Sequence, residues 1–387
     1  MAAPLRIALV SETYPPEING VALTVKSLAD SLTALGHAVS VVRPRQRDEQ
    51  PQAHEMLVRG ASLPRYPGLR FGWPAGSRLR RAWTESRPDG VYIATEGPLG
   101  FSAARAAKAL GIPAVSGFHT RFDSYSEFYG LKALRGLVEW HLKRLHRMTM
   151  ATLVPTVELK VELENQGFKN VRLLARAVDV DHFDPIRRSI HWRLSQGLSA
   201  SDCCVLHVGR LAPEKNLNLL AASFAAMVEA NPRVRCIVVG DGPERARLEA
   251  QHPFIRFLGL KRGVELAEIY ASADVFLFPS ETETFGNVTL EALASQLAVL
   301  AFDYGAAHQH IQHGKNGLLA KRGDDARFIQ LAILLAREPA LVSALRASAR
   351  QTIQTLKPVT VAERLIAILK EPPAHATKPC TQTIGAR

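Results

Sequence analysis

Glu283 and Glu291 flank a Phe-Gly-Asn-Val step in the stretch PSETETFGNVTLEALAS, residues 279–295, which follows the apolar run ADVFLF. The pattern predicts a turn and then a helix that starts near Gly286 or Asn287. The first backbone N–H groups of such a helix lack intrahelical partners and carry partial positive charge, which suits an anion. Glu291 then falls about one turn into the helix, about 6 Å along its axis. A carboxylate there accepts hydrogen bonds from a vicinal diol such as a ribose. Glu283 precedes the turn, where a group attached beyond the anion would sit. Alone, Glu291 reads as a solvated helix face and Glu283 as a capping carboxylate. Together around one helix start, they favour a ligand.

Two cations belong to the same half of the chain. In HVGRLAPEKN, Arg210 and Lys215 follow a strand that ends at His207–Gly209. A guanidinium forks onto phosphate oxygens and a nearby ammonium adds a second charge. Lys215 alone says little, since exposed lysines are common. The four side chains together suit a nucleoside diphosphate that carries something polar, as a nucleotide sugar does.

These residues need a scaffold that brings loop ends together. Apolar runs alternate with helical patterns: RIALVSE, HAVSVVRP, GVYIAT, IPAVSGFH and ATLVPT as strands in the first half, then CCVLHVGRL, VRCIVVGDG, IRFLGL, DVFLFPS and LAVLAFD in the second. Strands alternating with helices predict an α/β fold of doubly wound parallel sheets. The regularity lapses between residues 184 and 201, and 387 residues suit two domains. The first is expected over 1–185 and the second over 200–355, with the default ligand site in a cleft between two facing sheets.

The chain has a net charge of +12 and a hydrophobic content of 47 %. The charge points to an anionic partner. From Arg43 to Arg87 ten arginines face four acidic residues, interleaved with Tyr66, Phe71, Trp73 and Trp83. That stretch reads either as a solvated loop face or as a surface resting on anionic headgroups. LKALRGLVEWHLKRLHRM carries an apolar stripe of Leu131, Leu134, Leu137, Val138, Leu142, Leu145 and Met148 opposite basic residues. It reads either as a core helix or as a basic amphipathic helix on a bilayer. No apolar run reaches membrane-spanning length and the N-terminus has no signal-peptide pattern. The expected location is cytoplasmic, peripheral on the inner face of the cell membrane. The four cysteines form no metal or redox spacing.

The spacing of Glu283 and Glu291, with seven residues between them, is similar to the E-x7-E signature of retaining glycosyltransferases. VGRLAPEKN, VVGDGPER, YASADVFLFPSETETFGNVTLEALAS and HGKNGLLA resemble glycosyltransferase family 4, in their usual order. SETYPPEINGVALTVKSLADSLTALGH resembles that family's opening segment. GFHTRFDSYSEFYG and LVPT resemble its branch of GDP-mannose-dependent mannosyltransferases and diacylglycerol-type lipid glycosyltransferases. The resemblance covers residues 5–370. It implies the GT-B fold, two facing Rossmann-like domains, with residues 356–372 crossing back to the first and 373–387 as a flexible tail.

The resemblance also implies roles. Arg210 and Lys215 would hold the donor diphosphate. The backbone amides of Phe285, Gly286, Asn287 and Val288 would meet the distal phosphate and sugar. Glu291 would bind the ribose and Glu283 the donor hexose. Gly20 would let the first-domain loop approach the diphosphate, and His119 would sit near the sugar and acceptor. The implied chemistry retains anomeric configuration without a bound metal or cofactor, and no D-x-D follows an apolar strand. Gln296 and Ala298 replace a usual Gly-x-Pro. Ala306, Gln309 and Ala177 also depart from the family pattern, which leaves the fit around the donor sugar open.

The expected activity is transfer of a hexose to a membrane lipid at an anionic surface, from GDP-mannose first and from UDP-glucose or UDP-galactose next. A soluble or polysaccharide acceptor, and a non-catalytic nucleotide-sugar-binding protein, are the alternatives. Nucleic acid is not an expected partner, since no helix-turn-helix, zinc or single-strand motif is present. A dinucleotide dehydrogenase is excluded because VVGDGPER lacks G-x-G-x-x-G.

Overall fold

Short runs of branched and aromatic residues, each followed by a helix, build two parallel sheets. The computed structural model describes residues 3–17, 19–46, 49–62, 70–119, 135–283 and 285–371. Expectations on Arg47, Arg65, Tyr66, Leu131, Leu134, the side chain of Val138 and the tail beyond 371 lie outside the described residues.

The first sheet is made of β1 (Arg6–Val10), β2 (Ala38–Pro44), β3 (Glu55–Val58), β6 (Gly90–Ile93), β7 (Ala114–Gly117), β8 (Ala151–Val154) and β9 (Val171–Leu173). Its order is β3-β2-β1-β6-β7-β8-β9, and β4 (Gly60–Ser62) pairs with β5 (Arg70–Gly72) in a small antiparallel ribbon. The second sheet contains β10 (Cys203–Val208), β11 (Val234–Val239), β12 (Ile255–Phe257), β13 (Val275–Phe278), β14 (Ala298–Phe302) and β15 (Gly317–Ala320), in the order β12-β11-β10-β13-β14-β15. Every pair in both sheets is parallel. In each sheet the order reverses once, between β1 and β6 and between β10 and β13. Such a switch point leaves a crevice at the carboxyl ends of the two strands.

Contacts divide the described chain into two units, with breaks after Leu174 and after Thr360. Residues 175–185, expected in the first domain, belong to the second. Val178 and Val180 are buried in the second core, and the Val178 amide donates to Leu356 O at 3.0 Å. The helix Pro358–Lys370 packs on the first sheet's core through Ala362, Leu365, Ile366, Ile368 and Leu369. Leu365 and Ile368 are fully buried, a contribution of about 2 kcal/mol each. The ion pair of Arg172 with Glu371 holds the helix's far end.

The arginine-rich stretch is not a continuous loop face. It contains β3, the ribbon and a helix, Gly76–Glu85, that buries Leu79 and Trp83. Arg43 is 2 % exposed and bridges Glu49 and Glu55, at 2.5 and 2.9 Å. A charge at the end of a buried strand needs such partners, so Arg43 is no part of a surface patch. Arg59, Arg78, Arg80, Arg81 and Arg87 are exposed, as is Trp73.

Candidate functional site

The second sheet's switch point decides which loops meet. β10 and β13 are neighbours, with Val205 opposite Val275. The loop after β10 carries Arg210 and Lys215, and the loop after β13 carries Glu283. Adjacent strand ends therefore deliver the predicted cation and carboxylate to one place. The Lys215 ammonium donates to Glu283 Oε1 and forms an ion pair with it. Ser280 Oγ, itself buried, donates to the same oxygen at 2.9 Å. Burial pushes the Glu283 carboxyl up, but Lys215 and Ser280 outweigh it and hold it below the usual carboxylate range.

Arg210 reaches this cluster through Glu214. Its guanidinium pairs with the Glu214 carboxylate, which is buried, and Thr282 Oγ1 donates to the Glu214 carbonyl at 3.0 Å. Each of the two predicted cations thus already has a carboxylate partner. Lys215 is followed by Asn216 in the left-handed region, φ 52°, which turns the chain into the helix Leu217–Ala230.

The predicted helix start lies at Asn287. The helix Asn287–Ala294 has Gly286 as its N-cap, at φ 92° and ψ 62°, a residue with no side chain of its own to cap the helix. Glycine is suited to that backbone because it has no Cβ to collide with the preceding carbonyl. Phe285 is buried, and its carbonyl accepts the Ala306 amide at 2.7 Å. Tyr304 OH donates to the Glu283 carbonyl. The second of these loops is therefore held from β14's loop as well as from β10's.

Glu291 stands one turn further along. Its Oε2 accepts the Tyr270 hydroxyl at 2.9 Å, and burial raises the carboxyl to about 7 against that hydrogen bond. His207, the residue before the end of β10, is fully buried. Its Nδ1 lies 2.9 Å from Leu277 O, its Nε2 has no hydrogen-bond partner among the described residues, and burial lowers it to about 4. It is a neutral side chain beneath the cation–carboxylate pair.

Gly20 and His119 belong to the first unit. Gly20 opens the helix Gly20–Ala34, capped by Asn19 Oδ1 on the amides of Val21 and Ala22 at 3.1 and 2.9 Å. Among the described residues, a Cβ at Gly20 would meet no atom within 4 Å beyond its own neighbours and helix, so no contact there demands glycine. His119 follows β7, with Nε2 2.5 Å from the hydroxyl of the buried Tyr92. Its backbone lies near the Glu96 carboxyl, on the loop after β6, and slightly opposes the upward push of burial there. Among the described residues, Glu96 Oε1 and His146 Nε2 have no hydrogen-bond partner, and they stand 3.9 Å apart. Burial raises Glu96 to about 8 and lowers His146 to about 3, so both are neutral at pH 7.

Tyr270, Glu214, Ser280, Tyr304, Tyr92 and Glu96 were not singled out from the sequence. Tyr270, Glu214 and Ser280 lie inside stretches that carried the family resemblance, but no spacing rule marks their contacts. Among the described residues, no group of three His, Cys, Asp or Glu side chains is placed to hold a metal ion, and no single helix is long and apolar enough to cross a membrane.

Two doubly wound sheets, one presenting two cations and a glycine-led helix start at its switch point, define a glycosyltransferase of the GT-B fold. The solved structure of Anabaena HepE in complex with UDP and glucose superimposes with a TM-score of 0.73 over 94 % of this chain and 99 % of that one, at 19 % identity. Residues 18–182 match the model of Glycosyltransferase Family 4, and residues 202–338 that of Glycosyl transferases group 1. The chain is 36 % identical over 328 residues to a GDP-mannose-dependent alpha-mannosyltransferase of Mycobacterium tuberculosis, covering 83 % of this chain and 85 % of that protein. It is 26 % identical over 347 residues to the alpha-monoglucosyldiacylglycerol synthase of Acholeplasma laidlawii, covering 83 % and 86 %. The chain belongs to glycosyltransferase family 4. Its activity is hexosyl transfer.

Proposed function

We propose that this enzyme transfers mannose from GDP-mannose, with retention of configuration and without a metal ion, to a lipid acceptor at an anionic membrane surface. The observation that carries the donor reading is the Lys215–Glu283 pair, on the loops that carry Arg210 and lead into the helix Asn287–Ala294. The diphosphate would take the two cations and the helix amides, which replace a divalent ion in neutralising the leaving group. Glu283 would be left facing the hexose. The acceptor oxygen attacks the anomeric carbon on the face the diphosphate leaves, the bond from that carbon to the phosphate oxygen breaks, and the acceptor proton passes to the departing phosphate. Glu283 serves in positioning and electrostatics, and His119 lies on the acceptor side.

The first unit supports the lipid reading. A groove of about 540 Å³ is lined by Lys108, Trp140, Lys143, Arg144, Arg147 and Met148. The Arg144 guanidinium lies 5.0 Å from the Trp140 ring and 5.9 Å from Phe101. In the helix Arg135–His146, Leu137 and Trp140 are 63 % and 54 % exposed, whereas Leu142 and Leu145 are buried. Cations around exposed apolar side chains match an anionic interface, where each is worth about 1 kcal/mol. This location is cytoplasmic and peripheral. The mycobacterial relative supports GDP-mannose, and the diacylglycerol relative supports the lipid.

Thermal shift against GDP, UDP and ADP tests the donor, with GDP expected to stabilise most; a larger shift with UDP turns the reading to UDP-glucose or UDP-galactose. Transfer of radiolabel to lipid extract, in EDTA, tests acceptor and metal together. Co-sedimentation with phosphatidylglycerol vesicles should fall in salt and in the variant Lys143→Glu/Arg144→Glu. Equal binding to phosphatidylcholine vesicles would remove the electrostatic reading.

A further inference from the structure

We propose that Tyr270 is a positioning residue for donor recognition: its hydroxyl fixes Glu291 Oε2 at 2.9 Å and leaves Oε1 to read the ribose diol. The inference rests on the assignment of Glu291 to the ribose. Among the described residues, Tyr270 is the one side chain that hydrogen-bonds that carboxylate.

Tyr270 is built to stay where it is. It lies on the helix Gly263–Ser272, directly ahead of β13, and is fully buried. Its ring meets Phe183 edge-on at 5.5 Å and Phe276 at 5.8 Å. The phenol is held well above its ordinary value by burial and by Glu291, so it remains a donor at every working pH. A carboxylate on the first turns of a helix has two free side-chain torsions beyond Cβ. One hydrogen bond from a rigid donor removes most of that freedom before a ligand arrives, which lowers the ordering cost of binding.

Electrostatics reinforce the geometry. Glu291 is raised to about 7 by burial, and the Tyr270 hydroxyl is what opposes the rise. Ionised, Glu291 offers the diol a charge-assisted acceptor. Without the hydroxyl the carboxyl takes up its proton at higher pH, and the diol loses that acceptor near neutrality.

The test is titration calorimetry of GDP and 2′,3′-dideoxy-GDP, from pH 5.5 to 8.5, on wild type, Tyr270→Phe and Glu291→Ala. The uridine pair is run alongside, so the base the enzyme prefers does not decide the outcome. Wild type should favour the diol-bearing nucleotide. In Tyr270→Phe that preference should fall about tenfold, the order expected for one hydrogen bond to a charged group. The dideoxy affinity should be unchanged, and kcat at saturating donor should stay within about twofold while KM rises. The midpoint of the pH dependence should move upward. Equal weakening of both nucleotides in Tyr270→Phe would mean lost packing and would overturn the proposal. An undiminished diol preference in Glu291→Ala would instead remove the ribose assignment beneath it.

Discussion

Lys215 is ion-paired with Glu283, so the cation expected to hold the diphosphate is already bound to the carboxylate expected to face the sugar. The two side chains are 14 % and 19 % exposed. On the proposed donor site, binding would exchange one partner of Lys215 for another instead of filling an open cation site. Glu283→Gln releases Lys215, and nucleoside diphosphate affinity should hold or rise while sugar transfer falls at least about 100-fold, since the sugar loses its facing charge. Lys215→Ala should weaken the nucleotide about tenfold or more and lower the melting temperature, because it strands a largely buried carboxylate. The double variant should be more stable than the sum of the single losses predicts. Calorimetry and thermal melts read all three.

Glu96 and His146 give the first unit an opposing pair of pH dependences. Glu96 is raised to about 8, so its stabilising effect is complete below about 4.5 and is lost as pH rises through 8. His146 is lowered to about 3, so its effect is present above about 6.5 and is lost as pH falls toward 3. From about 4.5 to 6.5 the two slopes offset each other. Above that, Glu96 remains, with a limiting slope of about 1.4 kcal/mol per pH unit for one proton. Glu96→Gln copies the neutral acid in shape and removes the titration. Its melting temperature relative to wild type should climb between pH 6.5 and 8.5. A parallel pair of curves would show that Glu96 is ionised in the folded enzyme.

The chain shows where such a site is readable and where it is not. The strand–helix alternation and the helix start at Asn287 follow from local pattern, and the candidate side chains 210, 215, 283 and 291 are proposed from spacing. The structure joins Lys215 to Glu283, while Arg210 pairs with Glu214 and Glu291 with Tyr270. What closes the site follows from neither pattern nor spacing. Lys215 and Glu283 are 68 residues apart, and their contact exists because β10 and β13 are neighbours, a pairing set by a crossover rather than by any local signal. Tyr270 and Glu291 meet across 21 residues through the packing of a helix the sequence marks only as apolar. Arg43 shows the reverse failure. Counted as one of ten surface arginines, it is a buried strand residue whose charge Glu49 and Glu55 neutralise. Composition counts charges but cannot see desolvation.

Gln296 occupies a position where the family resemblance places glycine, and the backbone explains the glycine: φ there is 58°. The residue ends the helix Asn287–Ala294 just after Ser295, a place where the left-handed conformation is common and a Cβ is unfavourable. Gln296→Gly should stabilise the protein by about 0.5–1 kcal/mol, the relief of strain less the added freedom of the unfolded chain. Ala298, where the family has proline, uses its amide to donate to Asp274 O at 3.1 Å. Ala298→Pro would lose that bond and should destabilise. Opposite signs for the two family-directed substitutions, read by chemical denaturation, check the account.

Gly305 supports the helix start from behind. Its φ of 59° and ψ of −129° lie in a region open essentially to glycine alone, and a Cβ there would stand 2.7 Å from Phe285 O. That same carbonyl accepts the Ala306 amide at 2.7 Å. Gly305→Ala must therefore push away the backbone that leads into Gly286, or unwind its own loop. Since the proposed distal phosphate site consists of backbone amides from Phe285 to Val288, the displacement should raise the donor KM about tenfold or more. The effect on a nucleoside monophosphate, which lacks that phosphate, should be much smaller. Comparing GDP with GMP affinity in the variant separates the two, and an equal loss for both would place the damage in the nucleoside contacts around Glu291 instead.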